Sequence, residues 1–564
     1  MIKRFAPLLL WIVPLVFLGL FYFYPLSNIL ALSFSRAANI WQPFADVFGS
    51  AAFRGALWFT FWQASLSTLL TLALGLPGAY LLARYKFRGK AFLRALSAVP
   101  FVLPTLVVAA AFDSLMGPRG WVNAALMRGF DLNSPPIHFA NSLVAILVAH
   151  VFYNTTIVLR LVGDFWARLS PRIEQAARTL GADARQVFTK VTLPMLAPAL
   201  SAATLLVFIF DFTSFGVILV LGGPRFSTLE TEIYFQTVAL FNLPVAATLA
   251  LVQLLCTLAL TIIYTRLSAK VSRPQELRAP RIIARPMSGR GKWQASAFLA
   301  ALVLFFVSPL AALAGRSITR LGAERGQITA STGVTLDYYK ALGQTEGRDL
   351  FFSPPADAIQ TSAIYALSTI GLALLVGLPA AWVLARRERA ALSRILDPVL
   401  MLPLGTSAVT LGLGFLIALD SPPLNLRASI LLVPLAHTLV ALPFVVRSLS
   451  PALRSIRPQL HQAAAVLGAS PGRVIRHVDL PLVGRALLVA ALFAFAISIG
   501  EFGATALVAR PEFPTIPVLI FRLLSQPGDS TYGQAMALST ILMLVTAGGM
   551  LLIERFRVAD IGEF

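Results

Sequence analysis

The sequence predicts an all-α polytopic membrane protein of about twelve transmembrane helices, built as two parallel-related six-helix halves. Three observations carry that expectation. Of the 564 residues, 57% are hydrophobic and only 13% are charged, and the mean hydropathy is +0.78, too little polar surface to cover a soluble body of this size. Apolar runs long enough to cross a bilayer recur from end to end. Finally, the chain repeats itself: Gln175-Ala176-Ala177, Leu180-Gly181-Ala182, Val191 and Leu193-Pro194 return 287 positions later as Gln462-Ala463-Ala464, Leu467-Gly468-Ala469, Val478 and Leu480-Pro481. The same register joins His150 to His437, Arg160 to Arg447, Phe215 to Phe502 and Thr228 to Thr515. A tandem duplication of a membrane bundle follows.

Taken in order, the runs place spans near Leu9 to Leu32, Leu57 to Leu82, Leu96 to Phe112, Leu143 to Leu161, Leu196 to Leu221 and Val245 to Tyr264. The second half repeats them near Ala295 to Ala314, Ala363 to Leu384, Ile395 to Leu419, Ile430 to Val446, Val483 to Val508 and Ala535 to Ile553. The resulting division is a first half 1–267, a basic linker 268–294 and a second half 295–564. Lys3 and Arg4, Arg84 to Arg94, and Arg386 to Arg394 cluster on one side of the spans, which sets the termini and both repeated segments in the cytoplasm. The linker carries Lys270, Arg273, Arg278, Arg281, Arg285, Arg290 and Lys292 against Glu276 alone, with Pro274, Pro280 and Pro286, and reads as an extended, mobile connection. External loops are expected near Ser114 to Asn141, Gly222 to Asn242, Arg316 to Asp357 and Arg510 to Tyr532. The first apolar run is longer than a signal h-region and lacks a small-x-small cleavage site, so it reads as a retained anchor.

The net charge of +21 does not indicate a nucleic-acid partner, because the cations fall in short stretches between apolar runs. A single cysteine, Cys256, excludes internal disulfides and Cys-rich metal sites. The chain has no Gly-x-x-x-x-Gly-Lys-[Ser/Thr] loop, no His-Glu-x-x-His and no Gly-x-Ser-x-Gly, so it is not read as an enzyme, and any ATP chemistry belongs to another subunit. His150 and His437, Arg160 and Arg447 read as packing or helix-end groups.

Each repeated segment, 174–194 and 461–481, reads as a short Ala-rich helix, a Gly turn and a second short helix, after which Leu-Pro restarts a span. A stiff element tied to membrane helices at both ends can turn a push from a soluble partner into helix rotation. At membrane depth, Asp211 aligns with Ser498 and Ser214 with Glu501, so each half supplies one carboxylate. The two acids either face a common pathway, where with nearby aromatic rings they suit a cationic cargo, or are neutral or paired inside the bundle.

With these residues in view, the spacing resembles the coupling motif of permease subunits from binding-protein-dependent ABC importers: Glu or Gln, Ala-Ala, three residues, Gly, nine residues, an aliphatic residue, one residue, Leu-Pro. The usual glutamate is replaced by Gln175, with Glu174 beside it, and by Gln462, with His461 beside it. Two motifs in one twelve-helix chain resemble the iron(III)/thiamine permease family, in which two permease subunits are fused. Phe61-Trp62-Gln63-Ala64, Gly120-Trp121, Ala149 to Asn154, Leu221 to Pro224 with Glu232-Ile233-Tyr234, and Ser498 to Gly503 tilt the resemblance toward thiamine.

The resemblance implies a MetI-like permease fold and ATPase contact through Glu174, Gln175, Ala176, Ala177, Gly181, Gln462, Ala463, Ala464 and Gly468. It also implies two copies of an ATPase that carry ATP and Mg, an extracytoplasmic solute-binding protein, surrounding lipid and no cofactor on this chain. The competing reading is an ion-gradient carrier with six-plus-six repeats, which has no use for twin docking elements.

Overall fold

The fold was read from a computed structural model that describes residues 2–35, 38–271, 285–286, 291–320, 333–344, 354–385, 390–420, 422 and 424–556. Among them, ten helices are long and apolar enough to span a bilayer. In chain order these are the first span (Leu10–Phe34), second (Ala51–Arg84), fourth (Leu143–Arg168), fifth (Ala184–Phe212), sixth (Leu243–Leu267), seventh (Gly291–Ser317), eighth (Pro355–Ala385), tenth (Leu432–Arg454), eleventh (Gly472–Gly500) and twelfth (Asp529–Phe556).

The third and ninth spans, each expected as one helix, are bent pairs: Lys90–Val102 with Thr105–Phe130 at 111°, and Leu396–Gly405 with Ala408–Ala418 at 97°. Proline explains the first break, because Leu103 before Pro104 is held extended and the next helix starts on Pro104. At the second, Ser407 caps the new helix by accepting from the N–H groups of Val409 and Thr410 at 3.1 and 3.3 Å.

Three further expectations are corrected. The fifth and eleventh spans do not run to Leu221 and Val508: their helices end at Phe212 and Gly500, and irregular turns lead to short helices Gly216–Leu221 and Thr505–Val508. The expected loops after them fold back as helices Leu229–Val238 and Ile516–Leu524, with Leu229, Ile233, Ile516 and Ile520 buried. Hydropathy windows merge such segments because each break is only a few residues long and the helices on both sides of it are apolar. Nor does Leu-Pro restart a helix. One helix runs through it, widened to a π turn at Phe188–Thr192 and Ile475–Asp479, and that turn accommodates the carbonyl that Pro194 and Pro481, lacking N–H, cannot bond.

The linker lies largely outside the described residues, as do Arg386, Arg387 and Arg389. The described linker pair Arg285–Pro286 forms a short parallel bridge with Tyr85–Lys86 beside the second span.

The halves interlock through their leading spans. The first span packs on the eighth, ninth and sixth, and the seventh packs on the third and twelfth. Tyr22 Oη and Thr406 Oγ1 bond across the halves at 2.6 Å, an interhelical contact of about 1 kcal/mol in lipid. Phe305 and Phe306 of the seventh span lie edge-on to Phe152 of the fourth at 5.7 and 5.8 Å. Lipid tails are as apolar as these side chains, so close packing decides the arrangement. Gly75 and Gly377 show this: a Cβ there would lie 2.7 Å from Val158 and 2.6 Å from Val445. Val445 follows Val158 by the 287 register, whereas Gly377 follows Gly75 by 302 positions. The repeat therefore extends upstream past a change of register.

Candidate functional site

The two repeated segments have the same build, and each follows the fourth span of its half. The fourth span continues through Ser170 into the helix Pro171–Thr179, and the tenth through Arg457 into Pro458–Val466. Proline opens both helices, at a position where no N–H is needed. Both end in the same cap. Ala182 N–H donates to Ala177 O at 3.0 Å and Gly181 N–H to Arg178 O at 2.9 Å; Ala469 N–H donates to Ala464 O at 2.9 Å and Gly468 N–H to Ala465 O at 3.0 Å. With Gly181 at φ 88° and Gly468 at φ 72°, each is a Schellman closure, which requires a residue that tolerates positive φ four positions after the first of the bonded carbonyls. The fixed spacing from Ala-Ala to Gly is the spacing of that cap.

Gln175, Ala176, Gly181, Gln462, Ala463 and Gly468 are exposed, whereas Ala177 is half-buried and Ala464 buried against the bundle. Glu174 faces inward. Its carboxylate bonds Arg84 of the second span and accepts from Thr192 Oγ1 at 3.2 Å, and Arg84 also donates to Leu169 O at 3.3 Å. At the equivalent places, His461 Nε2 meets Asp479 Oδ1 at 2.6 Å. A carboxylate and hydroxyl in one half, and an imidazole and carboxylate in the other, brace each helix to the span that follows it.

Sequence reasoning missed what the turns present. Leu180 and Leu467 are 88% and 85% exposed at the tips, and Ile173 and Leu460 are 44% and 43% exposed one face back. All four sit in the 287 register, which was the available signal. The two tips thus present the same exposed leucine at equivalent places of the repeat. The surrounding charge differs: Arg172 and Arg178 beside the first tip are replaced by Gln459 and Ala465 beside the second.

Asp211 and Glu501 each find their bonding partners within their own half. Asp211 accepts from Asn154 Nδ2 at 2.7 Å and lies 3.5 Å from His150 Nδ1, and its backbone carbonyl accepts from Gln63 Nε2 at 2.8 Å. Ser214 Oγ meets His150 Nε2 at 2.8 Å. Glu501 accepts from the N–H groups of Ala504 and Thr505 at 2.8 and 3.0 Å and from Thr505 Oγ1 at 2.5 Å, which caps the short helix beyond the break. His437 bonds Ser498 and Thr505, each at 2.8 Å, and lies 3.3 Å from Glu501. Each acid and its serine thus belong to a histidine-centred network in their own half, and both histidines hold helix breaks. Leu229 N–H donates to Thr60 Oγ1 at 3.1 Å and Ile516 N–H to Ser362 Oγ at 2.8 Å, so the returning helices are anchored alike.

The pattern describing inner membrane components of binding-protein-dependent transport systems matches residues 75–273 and again 374–556. The chain belongs to this family. The permease is 28% identical over 515 residues to the thiamine transport system permease protein ThiP of Brucella abortus, across 90% of its own length and 89% of that protein. It is 27% identical to the Escherichia coli ThiP, covering 86% of each, and 26% identical to the probable ABC transporter permease protein y4fN of Sinorhizobium fredii, covering 89% and 87%. It is accordingly a fused, two-domain ABC importer permease and a multi-pass inner-membrane protein, and the family works with ATPase and binding-protein partners. The gradient-driven alternative is not favoured.

Proposed function

We propose that this permease carries a thiamine-like cargo inward, driven by two copies of an ATPase that grip the turns at Gly181 and Gly468 from the cytoplasm. The observation that carries the coupling role is the pair of register-equivalent turns, each held by the same cap and each presenting an exposed leucine on one face. An ATPase dimer offers two equivalent grooves, and two equivalent tips suit it. Gln175, Ala176, Gln462 and Ala463 lie on the exposed side and form the contact; Glu174, Ala177 and Ala464 hold the helix against the bundle. ATP and Mg stay on the partner, and closure of the dimer draws the tips together through its higher affinity for one state of the bundle.

The residue ranges 1–267 and 295–564 are taken as the two permease halves, and both termini as cytoplasmic. A solute-binding protein delivers cargo at the opposite face. Thiamine is favoured over iron(III) because relatives matched along nearly their whole length bear its name. Asp211, Ser214, Ser498 and Glu501 serve the pathway by setting the shape of the breaks in the fifth and eleventh spans. The test is reconstitution of the permease with its ATPase and binding protein in vesicles: ATP-dependent uptake of radiolabelled thiamine is expected, and uptake that needs no ATPase overturns the mechanism.

A further inference from the structure

Where the fifth and eleventh spans break, Phe215 and Phe502 stack with centroids 5.4 Å apart and planes 19° apart. These are equivalent positions of the repeat. Two parallel repeats are related by an axis along the membrane normal, and a residue that touches its own equivalent lies on that axis. The flanking rings repeat the symmetry: Tyr234 lies 5.3 Å from Phe215, and its equivalent Phe521 lies 5.5 Å from Phe502. Phe215 and Phe502 are 6% and 4% exposed, and both sit on non-helical backbone, which at membrane depth is tolerated where it lines a pathway or is buried in protein. The fifth span of 29 residues sets the rings about 40 Å from the coupling turns by helical rise.

We propose that Phe215, Tyr234, Phe502 and Phe521 form the closure of the translocation pathway, and that a flat, π-faced cargo passes by entering between the two central rings. Parting them to roughly 7 Å, two contact distances of about 3.5 Å, admits one planar ring and replaces ring–ring contact with two ring–cargo contacts. A cationic ring gains a further attraction to the aromatic faces. A hydrated ion gains neither, so the closure itself selects. His150 and His437, on the helices that lead into the coupling turns, grip the ring-bearing breaks through Ser214 and through Ser498 and Thr505. A shift at the turns is thereby passed to the rings.

The part concerning cargo rests on the thiamine reading; the closure does not. Because Cys256 is the chain's single cysteine, the test uses a Cys256→Ser background with Phe215→Cys and Phe502→Cys, co-purified with its ATPase in nanodiscs and treated with a short bifunctional thiol reagent. Crosslinking is expected to be fast without nucleotide and at least tenfold slower after vanadate trapping, and the crosslinked complex is expected still to bind ATP. Equal crosslinking in both states, or uptake by the crosslinked complex, overturns the closure. Should the double variant fail to assemble, Phe502→Cys alone is expected to react with an impermeant maleimide from the outer side only when trapped; equal reaction in both states overturns it. Nucleotide-dependent crosslinking in a permease that does not transport thiamine rejects the cargo and keeps the closure. Retained thiamine uptake in Phe215→Leu/Phe502→Leu rejects selection by the rings; a tenfold loss supports it.

Discussion

At the scale of single residues, Gly181 and Gly468 have a physical duty in their turns that alanine cannot meet. Positive φ costs an L-residue about 1–2 kcal/mol, so Gly181→Ala and Gly468→Ala are expected to loosen the Schellman caps and lower ATP-driven uptake while the bundle still folds, measured as transport per assembled complex. His437 is a second case. Its two nitrogens reach Ser498 and Thr505 at 2.8 Å, and His437→Leu removes both bonds, each worth about 0.5–1.5 kcal/mol, while Ser498 keeps Thr369 and Thr505 keeps Glu501. A lowered thermal midpoint in detergent is expected, with part of the loss restored in His437→Gln. The sequence marked His437 and Glu501 by position and type, but it could not show that Glu501 spends its oxygens on Ala504 and Thr505. That depends on a helix break which places those N–H groups in front of it.

The two turn elements are alike in build and differ in charge. Leu180→Asp and Leu467→Asp together are expected to reduce ATPase co-purification more than tenfold, because each buries a charge in an apolar contact. The single variants should separate by salt. With Leu467→Asp, docking depends on the first turn and its Arg172 and Arg178, and is expected to weaken as ionic strength rises; with Leu180→Asp, docking depends on the turn that has Gln459 and Ala465 in their places, and is expected to weaken less. Pull-down of the ATPase at low and high salt measures both. Spacing alone identified these elements, because the cap is a local structure whose hydrogen bonds join residues at most five apart. The π turn before Pro194 and Pro481 was not legible, since the pattern there is compatible with either a restart or a continuous helix until the neighbouring spans fix the direction of the chain.

Across the whole molecule, the crossed packing of the first and seventh spans makes the halves interdependent. Removing residues 1–40 takes away Tyr22 and its bond to Thr406 and strips packing from the eighth and ninth spans. The truncated permease is expected to lose several degrees of thermal stability, with new proteolytic cuts in the second half, read by mass spectrometry.

Hydropathy and a 287-residue repeat were enough to determine that this chain is a duplicated membrane bundle with two turns of one build, because span length and helix caps are written in contiguous residues. Only the tertiary structure decided that the fifth and eleventh spans stop short, that the expected loops return as buried helices, that the acids bond within their own halves, and that Phe215 meets Phe502. Those outcomes depend on which faces meet across hundreds of residues, and packing between distant helices leaves no periodicity in the sequence to read.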